Sequence, residues 1–148
     1  MNEMNNVVDV LIIEDNSTEI SLINEILNID EWGVNFNGVT DGIEAIDYLR
    51  KKGKYKNSKT PSLILLDLNL PKKNGREVLK EIKTDDILKC IPVIILTNSD
   101  DNNDVLKSYD HGANAYMIKP TDFSKFKEDI QCFKEFWFSY AQLPKRTY

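Results

Sequence analysis

The sequence predicts an α/β fold: a doubly wound, five-stranded parallel sheet in the order 2-1-3-4-5, followed by an extended C-terminal helix. Three apolar runs, at residues 7–13, 63–66 and 93–96, are short, rich in branched side chains and do not alternate with polar residues. Strands buried on both faces of a parallel sheet have this composition. Segments with apolar residues at helical spacing separate the runs, and such alternation favours a parallel sheet with helices on both faces.

Each predicted strand is followed by a predicted helix. The strands at 34–39 and 115–118 are weaker candidates than the three apolar runs. In chain order, the five strand–helix pairs are 7–13 and 17–29, 34–39 and 41–50, 63–66 and 76–83, 93–96 and 101–109, and 115–118 and 123–143. For five strands, 2-1-3-4-5 is a common order of a doubly wound sheet.

The composition fits one globular domain of ordinary polarity. The chain has 148 residues, of which 41% are hydrophobic and 29% charged, and its formal net charge is −5. This charge argues against binding to nucleic acid or to an acidic membrane, because both attract positive proteins. We find no secretion signal and no apolar run of about 20 residues that could span a bilayer, so we expect a cytoplasmic protein. Cys90 and Cys132 lack a metal-ligand or redox spacing and are expected to be reduced, packed thiols.

Three carboxylates are expected at the carboxyl edge of the sheet, where the strand order reverses. Glu14 and Asp15 end the first strand, and Asp67 ends the third. Ligands of such sheets bind at this point. Because these acids repel one another, either a pKa rises or a cation binds, and oxygen ligands without Cys or His favour Mg²⁺. The alternative is that the acids only cap the helices that begin near residues 16 and 74.

Two more polar groups end the neighbouring strands. Thr97 ends the fourth strand, and Lys119 ends the fifth. A hydroxyl and an ammonium opposite a metal could bind phosphoryl oxygens from two sides. Asp67 is the natural nucleophile, since a carboxylate can form an aspartyl phosphate. Each signal is weak alone, but together on successive strand ends they form a specific pattern.

This pattern resembles the receiver domains of two-component response regulators. It comprises Glu14-Asp15, Asp67-Leu68-Asn69-Leu70-Pro71, Gly75, Thr97 and Lys119-Pro120. The resemblance covers about residues 7–142, nearly the whole chain. It implies the same fold, a phosphorylated aspartate, a bound Mg²⁺ and a sensor histidine kinase as partner.

The resemblance also implies a role for each acid. Asp67 would be the phosphorylated residue. Asp15 would bind the metal directly and Glu14 through a water molecule. Asn69 would supply a backbone carbonyl to the metal.

Four residues near the last two strands are given further roles by the resemblance. Lys119 would hold the phosphoryl group, and its peptide bond to Pro120 would be cis. Thr97 would reorient toward the phosphoryl group. Tyr116 matches the family's rotating aromatic and would also pack within its strand.

Some details resemble a subgroup, the stand-alone regulators that partner phytochrome-type histidine kinases. These details are the basic loop over residues 50–59, the segment 69–79 and the aromatic C-terminal helix. The basic loop could instead be a solvated connection, or a docking surface for an acidic partner. Asn98 departs from the family pattern, which usually has a small residue there, and could narrow access to Asp67.

The C-terminal helix is expected to take part in an interface. Residues 1–143 would form the receiver domain and 144–148 a short tail, without an output domain, so output would run through protein contacts. A helix over 123–143 would be about 30 Å long and would overhang a strand of about 17 Å. We expect a homodimer through helix four, strand five and helix five, whose interface includes Phe126, Phe133, Trp137 and Tyr140. The alternative is that the overhang folds back onto its own domain.

Three other functions are alternatives to a signalling protein that is switched by phosphorylation of Asp67. A phosphatase of the haloacid dehalogenase type needs a second Asp two residues after its nucleophile, where this chain has Asn69. A flavodoxin-like flavin carrier needs a phosphate-binding first loop, and Glu14 and Asp15 would repel a phosphate there. A receiver-like scaffold that is never phosphorylated is the third alternative. We expect a switch, not an enzyme acting on a separate substrate.

Overall fold

A computed structural model describes residues 7–29 and 33–145. Five parallel strands form one sheet in the order β2-β1-β3-β4-β5, which confirms the predicted order and direction. The strands are β1 (Val8–Ile13), β2 (Val34–Val39), β3 (Leu63–Leu66), β4 (Val93–Thr97) and β5 (Ala115–Ile118). The order reverses between β1 and β3, so the carboxyl ends of these two strands flank a crevice.

Five α-helices connect and cover the strands. They are α1 (Ser17–Leu27), α2 (Gly42–Leu49), α3 (Gly75–Thr84), α4 (Asn102–Asp110) and α5 (Phe123–Glu135). Each begins after an Asn or Asp whose side chain accepts a backbone N–H of the first turn, namely Asn16, Asp41, Asn74, Asp101 and Asp122. These caps fix where the helices begin, just beyond the strand ends that carry the polar residues.

The hydrophobic core lies in two layers, one on each face of the sheet. Side chains of successive strand residues point to opposite faces. Leu11 and Ile64 therefore pack with α2 and α3, while Ile12 and Leu65 pack with α1 and α5. Because both faces are covered, every residue of β3 and β4 is buried, and all are apolar except Thr97 at the end of β4, as the sequence pattern predicted.

The C-terminal helix differs from the prediction. The α-helical part ends at Glu135 and continues as one π-helical turn, Phe136–Tyr140, instead of reaching residue 143 as an α-helix. Trp137, Phe138 and Leu143 pack against the core layer beneath α1 and α5. A π turn holds more residues than an α turn and so changes the direction of the side chains that follow. Much of the expected overhang is therefore folded back onto its own domain.

Two smaller findings concern the cysteines and the membrane. Cys90 and Cys132 are free thiols, but both are exposed, so the prediction that they are packed is wrong. Neither thiol belongs to the two core layers, which are completed by other apolar side chains. Over the described ranges, every helix is too short or too polar to cross a lipid bilayer.

Candidate functional site

Four polar side chains converge at the carboxyl ends of four strands. Glu14 follows β1, Asp67 follows β3, Thr97 ends β4 and Lys119 follows β5, and all four are buried. The register of the parallel strands brings them together. Ile13 pairs with Leu66, and the Asp67 N–H donates to the Ile13 carbonyl at 3.0 Å. The structure thus unites the polar strand ends that the sequence analysis singled out.

The Lys119 ammonium lies among three carboxylates. Its Nζ atom is 2.7 Å from Glu14 Oε1, 2.9 Å from Asp67 Oδ2 and 2.9 Å from Glu19 Oε1. Burial alone would lower the pKa of Lys119, but the contacts with Glu14, Glu19 and Asp67 raise it above its ordinary value. Lys119 is therefore a permanent positive charge in this site.

Asp67 is held at both carboxylate oxygens. Its Oδ1 atom accepts from Thr97 Oγ1 and from the Asn69 backbone N–H, each at 3.0 Å, and its Oδ2 atom accepts from Lys119. Burial opposes ionisation of Asp67, but the Asn69 N–H and the Lys119 ammonium outweigh it and lower the pKa of Asp67. An ionised oxygen nucleophile in a fixed orientation results.

Glu14 behaves in the opposite way. Burial raises the pKa of Glu14 to about 8, although Lys119 opposes this, and the adjacent Asp67 carboxylate raises it further. Two acids in one pocket therefore differ in charge near neutral pH, with the proton on Glu14 and the negative charge on Asp67.

Glu14, Asp15 and Asp67 could together hold a metal ion. One oxygen of each lies within 4.8 Å of the other two. The donors are carboxylate oxygens, and a hard divalent ion such as Mg²⁺ prefers oxygen. Asp15 is exposed at the rim and Asn69 is exposed beside it. The Asn69 N–H contacts Asp67, and the role of its carbonyl as a ligand stays a prediction.

A cleft of about 440 Å³ opens beside these acids. Arg76 of α3 and Asp104 of α4 form an ion pair on its wall, and Ser99 Oγ donates to Asp104 at 2.5 Å. The Tyr116 hydroxyl donates to the Ser99 carbonyl at 2.9 Å. Tyr116, the predicted switch residue, is thus connected to the loop that follows Thr97.

Sequence reasoning missed several residues of this region. Arg76, Ser99 and Asp104 line the cleft, and no functional role was predicted for them individually, although Arg76 lies within the segment 69–79. Glu19 was overlooked because an acid in the first turn of a helix usually serves as a cap. A partial signal was available, since Glu19 lies five residues after Glu14 and so near the same strand end.

The predicted cis peptide bond is wrong for this structure. The bond between Lys119 and Pro120 is trans, as are all peptide bonds of residues 7–29 and 33–145. The trans isomer of a bond before proline is the more stable one by about 0.5–1 kcal/mol. Lys119 reaches Glu14 and Asp67 from this trans bond.

The predicted interface residues divide into two groups. Phe126 and Phe133 are only 7% and 4% exposed and belong to the core, so their assignment to a dimer interface is wrong. They face the sheet because α5 itself needs an apolar side to cover β1, β3 and β4. Trp137 is half-buried against the same layer, whereas Tyr140 is 72% exposed.

The fold and this site together define a class of protein. An ionised aspartate held by a hydroxyl and an ammonium, beside two further acids at the switch point of a five-stranded doubly wound sheet, defines a receiver-type signalling domain. The chain belongs to the response regulator receiver domain family, whose model matches residues 10–131. The family predicted from the sequence is thereby confirmed.

Individual relatives extend over nearly the whole chain. The response regulator Rcp1 of Synechocystis sp. is 40% identical over 135 residues, which cover 91% of this chain and 92% of the relative. The phosphorylated cyanobacterial phytochrome response regulator RcpA is 45% identical, covers 93% of this chain and 99% of its own, and superposes with a TM-score of 0.90. The Mn²⁺-bound form of Rcp1 also gives a TM-score of 0.90, at 39% identity and with 93% and 99% coverage. A relative thus binds a divalent metal, in agreement with the predicted Mg²⁺ and with the acid cluster.

Proposed function

We propose that this protein is a response regulator whose Asp67 accepts a phosphoryl group from a sensor histidine kinase. The receiver domain would span residues 1–143. The proposal rests on one observation: Thr97, Asn69 and Lys119 donate hydrogen bonds to Asp67, so that both of its carboxylate oxygens are fixed. Positioned donors of this kind, with charge neutralisation, are what phosphoryl transfer requires of a protein.

The transfer step uses the groups already in contact. One Asp67 oxygen bonds to phosphorus while the phosphorus–nitrogen bond of the donor's phosphohistidine breaks. The electron pair of the broken bond stays on the histidine nitrogen, which becomes a neutral imidazole by taking up a proton. Mg²⁺, held by Glu14, Asp15 and Asp67, would neutralise charge on the transferred group. Thr97 and Lys119 donate to the phosphoryl oxygens, and water later hydrolyses the acyl phosphate.

Phosphorylation changes the surface formed by α4, β5 and α5, which a partner protein can then recognise. Thr97 moves toward the new phosphoryl oxygens, and the loop carrying Ser99 moves with it. Since the Tyr116 hydroxyl is bonded to the Ser99 carbonyl, this movement reaches β5. The adjoining face of α4, β5 and α5 presents exposed apolar side chains, which are Leu106, Tyr109, Ile118 and Phe123. We infer that this face contacts the output partner. Phosphorylation would shift the equilibrium between two conformations of the face and so change that contact.

The partners follow from the relatives and from this face. RcpA is a phytochrome response regulator, so we infer a phytochrome-type histidine kinase as the donor, and therefore a cytoplasmic protein. We propose that the same face forms a homodimer. Tyr140 remains a candidate contact, because it is exposed at the end of the π-helical turn that follows α5. Phe126 and Phe133 are buried and are no longer candidates. The net charge of −5 argues against nucleic acid as a partner.

The proposal is tested by incubation with acetyl phosphate and Mg²⁺, followed by intact mass measurement. We expect one phosphoryl adduct on the wild-type protein and none on Asp67→Asn. The matched control is Asp86→Asn, which neutralises an acid whose side chain is fully exposed, away from the crevice. It should be labelled like the wild type.

Two outcomes would contradict the assignment. Equal labelling of the wild type and Asp67→Asn would show that another side chain is the acceptor. A wild type that gains no phosphoryl group from acetyl phosphate or from a phosphorylated phytochrome-type kinase would favour the unphosphorylated scaffold instead.

A further inference from the structure

Glu19 is a third carboxylate on the Lys119 ammonium, contributed by helix α1. Its Oε1 atom is 2.9 Å from Lys119 Nζ, close to the 2.7 Å of Glu14 and the 2.9 Å of Asp67. Glu14 and Asp67 belong to the acid cluster that could hold a metal, and Glu19 does not belong to it. Lys119 therefore has one anionic partner that a metal ion leaves free.

The orientation of Glu19 is not explained by helix capping. Asn16 caps α1 by accepting the Glu19 N–H, but the N–H of Asn16 itself donates to Glu14 Oε2 at 3.2 Å. Glu77 occupies the same third position of α3, and there the carboxylate does accept the N–H of its cap residue, Asn74, at 3.2 Å. Because Glu14 takes the N–H at α1, the Glu19 carboxylate is free to reach Lys119.

The Glu19–Lys119 contact is largely shielded from water, which strengthens the ion pair. The side chain of Lys119 is 6% exposed and that of Glu19 is 21% exposed. The Oε1 atom of Glu19 is enclosed and accepts no hydrogen bond from the described residues, so its ion pair with Lys119 compensates its burial. An enclosed carboxylate oxygen is energetically costly unless a positive group compensates its charge, so Glu19 Oε1 favours an ammonium that stays beside it.

We propose that Glu19 is a positioning residue that keeps Lys119 at the phosphoacceptor while Glu14 and Asp67 are engaged by a divalent cation. This inference rests on the proposed function. A dication in the acid cluster would compete with Lys119 for the carboxylates of Glu14 and Asp67 and would repel the ammonium. Glu19 lies outside the cluster, so it retains Lys119 where the ammonium can meet a phosphoryl oxygen.

The test compares Glu19→Gln with the wild type at saturating Mg²⁺ and acetyl phosphate. The substitution keeps the size of the side chain and removes its charge. We expect phosphorylation, followed by intact mass, to be about tenfold slower, as for loss of one charge-assisted hydrogen bond or ion pair. Glu77→Gln is the control, because it neutralises the glutamate at the equivalent position of α3 and should leave the rate unchanged.

A second measurement needs no phosphoryl donor. The ¹H–¹⁵N signal of the Lys119 ammonium should remain visible in Mg²⁺-bound wild type and disappear in Mg²⁺-bound Glu19→Gln, because a released ammonium exchanges its protons with water. Amide spectra of the same samples show whether the variant is folded. A purely structural role of Glu19 would leave this ammonium signal unchanged.

The possible results distinguish the positioning role of Glu19 from the phosphoacceptor function of Asp67. If the wild type is phosphorylated and Glu19→Gln reacts equally fast, the positioning role is wrong and the phosphoacceptor function stands. A slower reaction of Glu19→Gln with an unchanged Lys119 ammonium signal would also overturn the positioning role, since Glu19 would then affect the rate without holding Lys119. Absence of phosphorylation in the wild type would overturn both.

Discussion

Replacement of Glu14 by Gln should remove the fall in folding stability that the metal-free protein shows between about pH 4.5 and pH 8. Burial raises the pKa of Glu14 to about 8, from 4.5 for an ordinary glutamate. The folded protein therefore binds a proton that the unfolded chain releases, and the free energy of unfolding falls as the pH rises from about 4.5 to 8. Glu14→Gln removes this titration and keeps a neutral group of the same shape.

The size of the effect follows from the same pKa. The slope is about 1.4 kcal/mol per pH unit, and the whole interval corresponds to roughly 5 kcal/mol of lost stability. Asp67, whose pKa is lowered, contributes stability that is lost only as the pH falls through acidic values, and Lys119, whose pKa is raised, contributes stability that is lost only in strongly alkaline solution. Neither residue alters the slope between pH 5 and pH 8.

The substitution also has a cost that does not depend on pH. Glu14 Oε2 accepts the Asn16 N–H, and an amide nitrogen at that position would not. Loss of this hydrogen bond should cost about 1 kcal/mol. We therefore expect Glu14→Gln to be slightly less stable than the wild type at pH 5 and several kcal/mol more stable at pH 8.

Urea unfolding in EDTA at pH 5, 6, 7 and 8 measures the effect, with the urea dependence of the unfolding free energy checked for constancy. Glu77→Gln serves as the control, since its carboxylate only caps α3 and should leave the slope intact. Parallel pH profiles for the wild type and Glu14→Gln would refute the argument, because the titrating group would then lie elsewhere.

Three further predictions follow from the site and from α5. Mg²⁺ affinity should rise with pH up to about 8, by at most tenfold per unit, because the cation must displace the Glu14 proton; calorimetry at several pH values measures this. Gly75→Ala should destabilise the protein by about 3 kcal/mol in urea unfolding, since its Cβ would lie 2.2 Å from the Asp67 carbonyl oxygen. Phe133→Ala should cost about 3–5 kcal/mol in the same assay, whereas Tyr140→Ser should cost less than about 0.5 kcal/mol and weaken the dimer in sedimentation. Sedimentation of the wild type only as a monomer, with and without beryllium fluoride, would contradict the dimer.

Much of the fold was readable because the central strands are buried on both faces. The four residues of β3 and the five of β4 are all buried, so their apolar runs needed no knowledge of their neighbours to be recognised. β5 was a weaker prediction for a physical reason. It lies at the edge of the sheet and is only half-buried, so burial does not impose an apolar residue at every position.

The end of α5 could not be predicted from spacing. The seam that includes Phe133, Trp137 and Tyr140 has helical periodicity, and that pattern alone favours a continuous helix. In the structure, the neighbours Trp137 and Phe138 both pack against the core, which a regular α-helix directed outward would not allow. The gain from burying two aromatic rings is set by the position of α1, which the sequence of α5 does not contain.

The site was predictable in its principal residues and not in their finer contacts. Strand ends identified Glu14, Asp67, Thr97 and Lys119, because parallel strands bring their carboxyl ends to one edge. The contact of Glu19 with Lys119 depends on a competition for one backbone N–H that is decided by three-dimensional placement.

The hydrogen bond from the Lys119 ammonium to Glu14 joins residues 105 positions apart, which follow the last strand and the first. A nascent chain that has emerged only through β4 holds Asp67 without its ammonium. If Asp67 is the phosphoacceptor, we expect such a chain, or one from which a protease has removed β5, to react poorly even when the other strands are formed. We therefore expect the ability to accept a phosphoryl group to be acquired at the end of folding, and damage to β5 to leave the protein inactive instead of permanently active.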